Sequence, residues 1–308
     1  MVVAMKRAGP PTPEEARRAL FGMRDGLLAH PHYSALLYEG HEDVRARLVR
    51  EWIRFAEFAD SQFLAELRRD PHARLWEMRV GSLLMDAGMR LDSSDSGPDL
   101  QVTNLGRKAW VECVASTAGV GENEVDEPPV GEVFLDNEAP RLLRWTASIV
   151  AKHKKWADKY VPGGYVGADD AHVVALNSGR VPSAGTMDLK RLPWIVRMLY
   201  GLGQDFVTFR SDGTTRDGVR HRFRIKNSNG AAITTALFVD PQFASTSGVL
   251  FASGDTFNTE QGWARPVFVH NPNAHAPLEV GWLQRGAQAF REFYVNDDRH
   301  IVETGDSA

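Results

Sequence analysis

Apolar positions recur at helical spacing in the first third of the chain, and an alternating pattern takes over further on. Between residues 42 and 69, Val44, Leu48, Trp52, Phe55, Phe58 and Leu67 form one stripe and predict a long amphipathic helix. Residues 13–28 predict a shorter helix before it, and residues 75–88 a third that stops at Gly88. Residues 99–103 and 108–115 alternate polar with apolar about an Asn104-Leu105-Gly106 turn, which predicts a hairpin. Residues 140–160 then read as a helix and 172–176 as a short buried strand. Downstream, strands are expected at 205–210, 220–226, 233–240, 248–252 and 266–270, and helices at 189–200 and 283–294. Interleaved helices and strands, with hairpins among them, predict an α/β (α+β) fold around a central mixed sheet flanked by helices. Residues 1–70 are expected to form an N-terminal helical extension, and 71–308 one α/β domain.

Composition narrows the class only a little. A chain of 308 residues with 43% hydrophobic and 25% charged residues is an ordinary globular sequence able to bury a sizeable core. No apolar run approaches the roughly 18 residues of a membrane span. Gly9-Pro10-Pro11 stands where a signal peptide would carry its apolar stretch, so a cytoplasmic protein with no membrane partner is expected. The single cysteine, Cys113, excludes an internal disulfide or a thiolate cluster, and its strand setting predicts a buried, inert thiol. A net charge of -4 argues against coating nucleic acid through bulk charge, though not against local phosphate contacts. The acidic stretch 122–138 is followed by a basic one that carries Arg141, Arg144, Lys152, Lys154, Lys155 and Lys159.

Chemistry concentrates in Trp76-Glu77, Gly97-Pro98-Asp99 and Trp110-Val111-Glu112-Cys113-Val114. Period-two geometry puts Trp110, Glu112 and Val114 on one face and Ala109, Val111, Cys113 and Ala115 on the other, towards the core. A glutamate among apolar neighbours is costly without a partner, and a divalent cation shared with Asp99 would provide one. Mg²⁺ suits a few carboxylates on neighbouring strands because it keeps several waters. Glu77 lies at the border of the buried stripe Trp76, Val80, Leu83 and Ala87, with Gly81 expected to leave space beside it. The competing explanation is ordinary: Asp99 caps its turn and Glu112 meets a basic side chain.

The order of these residues resembles the PD-(D/E)xK nuclease superfamily, to which restriction and repair nucleases belong. There a helix with Glu precedes Pro-Asp at a strand start, then a hairpin, Glu-x-Lys on the next strand, and a helix. Glu77, Pro98-Asp99, Glu112 and the helix from Pro140 fill those places, over about residues 75–176. The resemblance implies a restriction-endonuclease-like core and a Mg²⁺-dependent phosphodiesterase, with Mn²⁺ able to substitute. Nucleic acid, DNA in preference to RNA, is the implied partner, and a homodimer is left open. It implies that Glu77, Asp99 and Glu112 meet in one small pocket, with Asp99, Glu112 and the carbonyl of Cys113 as metal ligands.

The sequence departs from that pattern at position 114, where the lysine should stand and Val114 does. Some members of the superfamily supply the lysine from the following helix. With Leu142, Thr146, Ile149, His153, Trp156 and Tyr160 facing inward, Lys152 borders the buried stripe, while Lys155 and Arg144 point further out. Lys152 is therefore the expected water-orienting catalytic residue, with Arg144 and Lys155 as substrate-phosphate contacts. The main alternative is a binding module that keeps the fold without catalysis. His30 and His32, at a helix end, are expected at the surface, and His270 and His275 in a loop. No Gly-x-Ser-x-Gly elbow occurs.

Overall fold

The computed structural model describes residues 9–22, 29–92, 96–104, 106–131, 137–184, 192–254, 256–257, 266–283 and 290–304. Five helices lead the chain: α1 (Pro13–Phe21), α2 (Pro31–Leu36), α3 (Glu42–Phe55), α4 (Phe63–Leu67) and α5 (Pro71–Asp86). Three strands follow, β1 (Arg90–Asp92), β2 (Leu100–Asn104) and β3 (Arg107–Thr117), and then α6 (Glu138–Lys155) and β4 (Ala171–Arg180). The chain continues through α7 (Trp194–Leu199), β5 (Leu202–Phe209), β6 (Thr215–His221), β7 (Arg224–Lys226) and β8 (Ala232–Thr234). It ends with β9 (Gly248–Ala252), β10 (Val267–His270), β11 (Arg291–Val295) and β12 (Ile301–Thr304).

Eight strands build one mixed sheet in the order β1-β2-β3-β4-β9-β10-β11-β12. β3, β4 and β9 run parallel at its centre, and antiparallel β1 and β2 extend one side. One face carries Val111, Cys113, Val173 and Ala175 against α1, α3, α4 and α5, and the other carries Val174, Leu176, Val249 and Phe251 against α6 and α7. The expected α/β fold with a mixed central sheet flanked by helices is the fold observed. The first five helices share a core with the sheet: Leu20, Trp52 and Phe55 belong to the same buried cluster as Val111 and Ala175. α5 is tied directly to β4, because the Trp76 indole donates to the Ala175 carbonyl at 2.8 Å.

Several elements differ from the sequence pattern for local reasons. The long helix expected over 42–69 is broken after Phe55, where the Asp60 side chain accepts from the Gln62 amide at 2.7 Å and offers the backbone an alternative turn. Gly81 leaves no gap beside Glu77; a Cβ there would come within 2.6 Å of the Phe55 ring, so the glycine lets α3 press onto α5. Residues 291–294, expected to be helical, belong to β11, where Phe293 fills the second core and aromatic and β-branched side chains favour the pleat. The expected strand at 220–226 is split between β6 and β7, and of 233–240 only Ile233 and Thr234 lie in a strand, β8. The expected helical residues 23–28, 189–191 and 284–289 lie outside the described residues.

Candidate active site

The β2–β3 hairpin sets the first pair of acids. Leu100 pairs with Val111, so Asp99, one residue before β2, arrives opposite Glu112. One Asp99 oxygen accepts the Cys113 amide at 2.6 Å, which extends the ladder with a side chain just before β2 begins. N–H and C=O of one strand residue leave on the same side, so the Cys113 carbonyl also faces the Asp99 end. The Cys113 thiol itself is buried, and burial pushes its pKa well above the usual thiol range, as an inert thiol requires.

Glu112 points from β3 to the α6 side and is 0% exposed. Its Oε1 receives the Lys152 ammonium at 2.8 Å and the Lys155 ammonium at 2.5 Å. The Tyr160 hydroxyl lies 3.3 and 3.2 Å from its two oxygens. Burial alone would lower the Lys152 pKa, but Glu112 and then Asp99 overcome it and raise the value. These carboxylates favour the ammonium form of Lys152, which can donate and stabilise negative charge. Lys155, expected to point further out, converges on the same oxygen. Residues three apart on a helix are neighbours, and the long lysine stem spans the remaining offset. Tyr160 closes a wide π-helical turn over Trp156–Tyr160 and was not foreseen as a Glu112 partner, although its inward position was.

Glu77 is 4% exposed and is met by the Arg74 guanidinium at 2.6 Å. That guanidinium also binds Asp60 and Glu66, so one cation serves three carboxylates. The Glu77 pKa is accordingly pushed up to about 8, first by burial and then by the Asp99 carboxylate, against the pull of Arg74. Asp99 is pushed up to about 6 by burial and then by Glu112, more than Lys152, the Cys113 amide and Lys155 pull it down. The three acids thus feel one another, but they do not meet as a preformed cluster. Among the described residues no three His, Cys, Asp or Glu side chains are arranged to hold a metal. Arg74, Asp60 and Glu66 were not foreseen as a bracket for Glu77, since nothing in local periodicity links residue 60 to 77.

Arg144 is not part of this group. Its Nε donates to the Thr117 carbonyl at 3.0 Å, and its guanidinium packs against Gly119. Five residues of strand, about 16 Å, separate that contact from Glu112. Two histidine expectations are also corrected. His32 is buried against His72 and Phe257, and His270 ends β10 as a partner of buried Glu292. Beside Trp76 and Ala115 lies a small hollow, lined also by His72, Asn177, Arg180, Gly254 and Thr256 at the carboxyl ends of β3, β4 and β9. Among the described residues no helix is long and apolar enough to cross a membrane. Compared with family models, characterised proteins and solved structures, the chain matches none.

The raised Glu77 pKa has a consequence for stability. The folded protein holds this proton up to about pH 8, whereas an unperturbed glutamate releases it near 4.5. The unfavourable contribution of ionised Glu77 is therefore fully present above about pH 8 and fades as pH falls towards 4.5. Thermal unfolding of Glu77→Gln in metal-free buffer is expected to show a higher midpoint than wild type at pH 9, the two converging by pH 5. A gap that does not change with pH would show instead that Arg74 keeps Glu77 ionised.

Proposed function

We propose that the protein is a Mg²⁺-dependent phosphodiesterase that hydrolyses nucleic acid, DNA in preference to RNA. One observation carries this: Asp99 and Glu112 stand opposite each other across the hairpin, with a lysine from the following helix, Lys152, on Glu112. That is the arrangement that the resemblance of the sequence to PD-(D/E)xK nucleases implies when position 114 lacks its lysine. The charge balance supports a cation. Asp60, Glu66, Glu77, Asp99 and Glu112 stand against Arg74, Lys152 and Lys155, and burial leaves Glu77 and Asp99 reluctant to ionise. Asp99, Glu112 and the Cys113 carbonyl would hold the ion, a donor set of the kind Mg²⁺ accepts while keeping waters for substrate oxygens to replace. Bound there, the ion supplies Lewis acidity towards a phosphodiester and a more acidic water. The chain's own part is electrostatic and positional: Lys152 holds a water or phosphate oxygen by donation, and Lys155 draws the backbone phosphate in. Tyr160 fixes the Glu112 carboxylate.

A second reading has its own observation. Glu112 already accepts from both lysines and Tyr160, so its charge is compensated without any ion, as in a non-catalytic nucleic-acid- or protein-binding module that keeps this fold. Metal titration separates the two. Mg²⁺ or Mn²⁺ at about 100 times its dissociation constant should stabilise the folded protein by about 2.7 kcal/mol, visible as a rise in the unfolding midpoint. Wild type that neither shifts with either metal nor cleaves single-stranded, duplex or structured nucleic acid belongs to the second reading.

A further inference from the structure

The β5–β6 pair forms a two-stranded ribbon separate from the main sheet, and most of its residues are exposed, with Phe206 and Gly218 half-buried. Register places Phe206 opposite Gly218 and Thr208 opposite Arg216, so these four share one face with Arg220, two residues beyond Gly218. That face carries no carboxylate. Asp217 and Val219 lie on the opposite face, Asp205 is paired with Arg197, and Asp212 accepts from Thr214 within its own turn. Arg216 and Arg220 have no ion-pair partner among the described residues. Between the two arginines the Phe206 ring lies across Gly218, where an added Cβ would come within 2.8 Å of the ring. The glycine thus keeps the aromatic flat on the ribbon.

We propose that this ribbon docks in the major groove of duplex DNA, with Arg216 and Arg220 gripping the rims and Phe206 facing the base edges. A two-stranded ribbon fits the roughly 12 Å width of the B-form major groove, arginine binds phosphate or guanine, and an apolar ring contacts thymine methyls. The deep, narrow major groove of A-form RNA does not admit it. Arg222, at the foot of the ribbon, is tied to Glu138, the first residue of α6. Lys152 lies fourteen residues further along the same helix, about 21 Å at a 1.5 Å rise per residue. The foot of the ribbon and Lys152 are thus joined by a length of α6 equal to about six base pairs at 3.4 Å each. The identity of the partner rests on the function proposed above; the surface that meets it does not.

The test is fluorescence anisotropy without divalent metal, using a 20-base-pair DNA duplex, its RNA counterpart and the single strand, at about 50 to 200 mM salt. The Arg216→Ala/Arg220→Ala double variant is expected to bind the DNA duplex about tenfold or more weakly, and the slope of log affinity against log salt should be shallower by about 2. Gly218→Ala, which lifts the ring but keeps both charges, should weaken DNA binding while leaving the salt slope unchanged. Unfolding midpoints should stay at the wild-type value because the ribbon is exposed. Unchanged DNA affinity in the double variant overturns the proposal, as does an equal loss on RNA duplex or single strand, or binding only to anionic lipid vesicles. Wild type that cleaves DNA while the double variant binds normally sinks the ribbon and leaves the nuclease. Wild type that grips duplex through Arg216 and Arg220 yet cleaves nothing keeps the ribbon and sinks the nuclease.

Discussion

Asp99→Asn is expected to abolish metal-dependent cleavage while leaving the protein at least as stable as wild type at pH 8. The two outcomes together are what distinguish a functional acid from a structural one. Asparagine keeps the shape of aspartate and can still accept the Cys113 amide through its side-chain oxygen. What it removes is charge, in a place where burial, Glu112 and Glu77 all penalise charge. Because the folded Asp99 pKa is raised to about 6 from 3.8, its ionisation weakens the fold above about pH 6, and that cost fades as pH falls towards 3.8. The stability gain of the variant should follow that window and vanish by about pH 4. Glu112→Gln should also be inactive, but it leaves Lys152 and Lys155 facing a neutral amide. Since both ammoniums can swing partly into solvent, the loss is expected to be about 2 kcal/mol, less than a sealed ion pair would cost. Asp99→Asn is therefore the cleaner probe. Circular dichroism and thermal unfolding, run beside cleavage assays in Mg²⁺ and Mn²⁺, check it. An active Asp99→Asn enzyme, or one that loses stability at pH 8, would make Asp99 a turn cap and nothing more.

The hairpin and its two acids were legible because two signals agree on them. The period changes to two at Asp99, and the Asn-Leu-Gly sequence at 104–106 predicts which residues face each other across the hairpin. Lys152 was legible from the helical wheel, since it borders the stripe that α6 buries. The wheel misplaced Lys155 because it ranks directions and ignores side-chain length; three residues from Lys152, a lysine stem reaches the same carboxylate. Arg74 with Asp60 and Glu66 was not legible, for the bracket forms only once the break after Phe55, with its Asp60 turn, returns the chain to α5. Nor could alternation show that both faces of β3 are covered. It marked the Cys113 face as core, whereas Trp110 on the other face packs under Trp156 and Tyr160. The β11 segment failed for a related reason: Arg-Glu-Phe-Tyr-Val fits a helical spacing as well, and pairing with β10 reinforces the preference of its aromatic and β-branched side chains for a strand. Local pattern thus located the acids, and long-range packing decided which cations reach them.

Lys152→Ala is expected to lower cleavage by about 10²-fold or more at saturating substrate, the scale of losing a positioned donor at a developing charge. The fold should survive, because Lys155 and Tyr160 remain on Glu112. Lys155 is the more exposed of the two, at 36% against 19%, and its ammonium also lies 5.0 Å from the Tyr160 ring centroid. Lys155→Ala should therefore raise KM and flatten its salt dependence, as loss of a phosphate contact does, with a smaller change in kcat. The raised pKa of Lys152 adds a second readout: any basic limb from its deprotonation should lie above the range in which a free lysine titrates. Both lysines share one oxygen, so the double variant cannot be the sum of the singles. Without either, Glu112 becomes a buried carboxylate with only a tyrosine donor, and breaking a buried pair in this way costs about 3–5 kcal/mol. A double-mutant cycle on unfolding free energy should thus show a destabilisation larger than the two singles combined, by about 1 kcal/mol or more. Additive losses, or a Lys152→Ala enzyme with full kcat, would mean that Lys152 is a surface cation resting on Glu112 and that the metal activates water unaided.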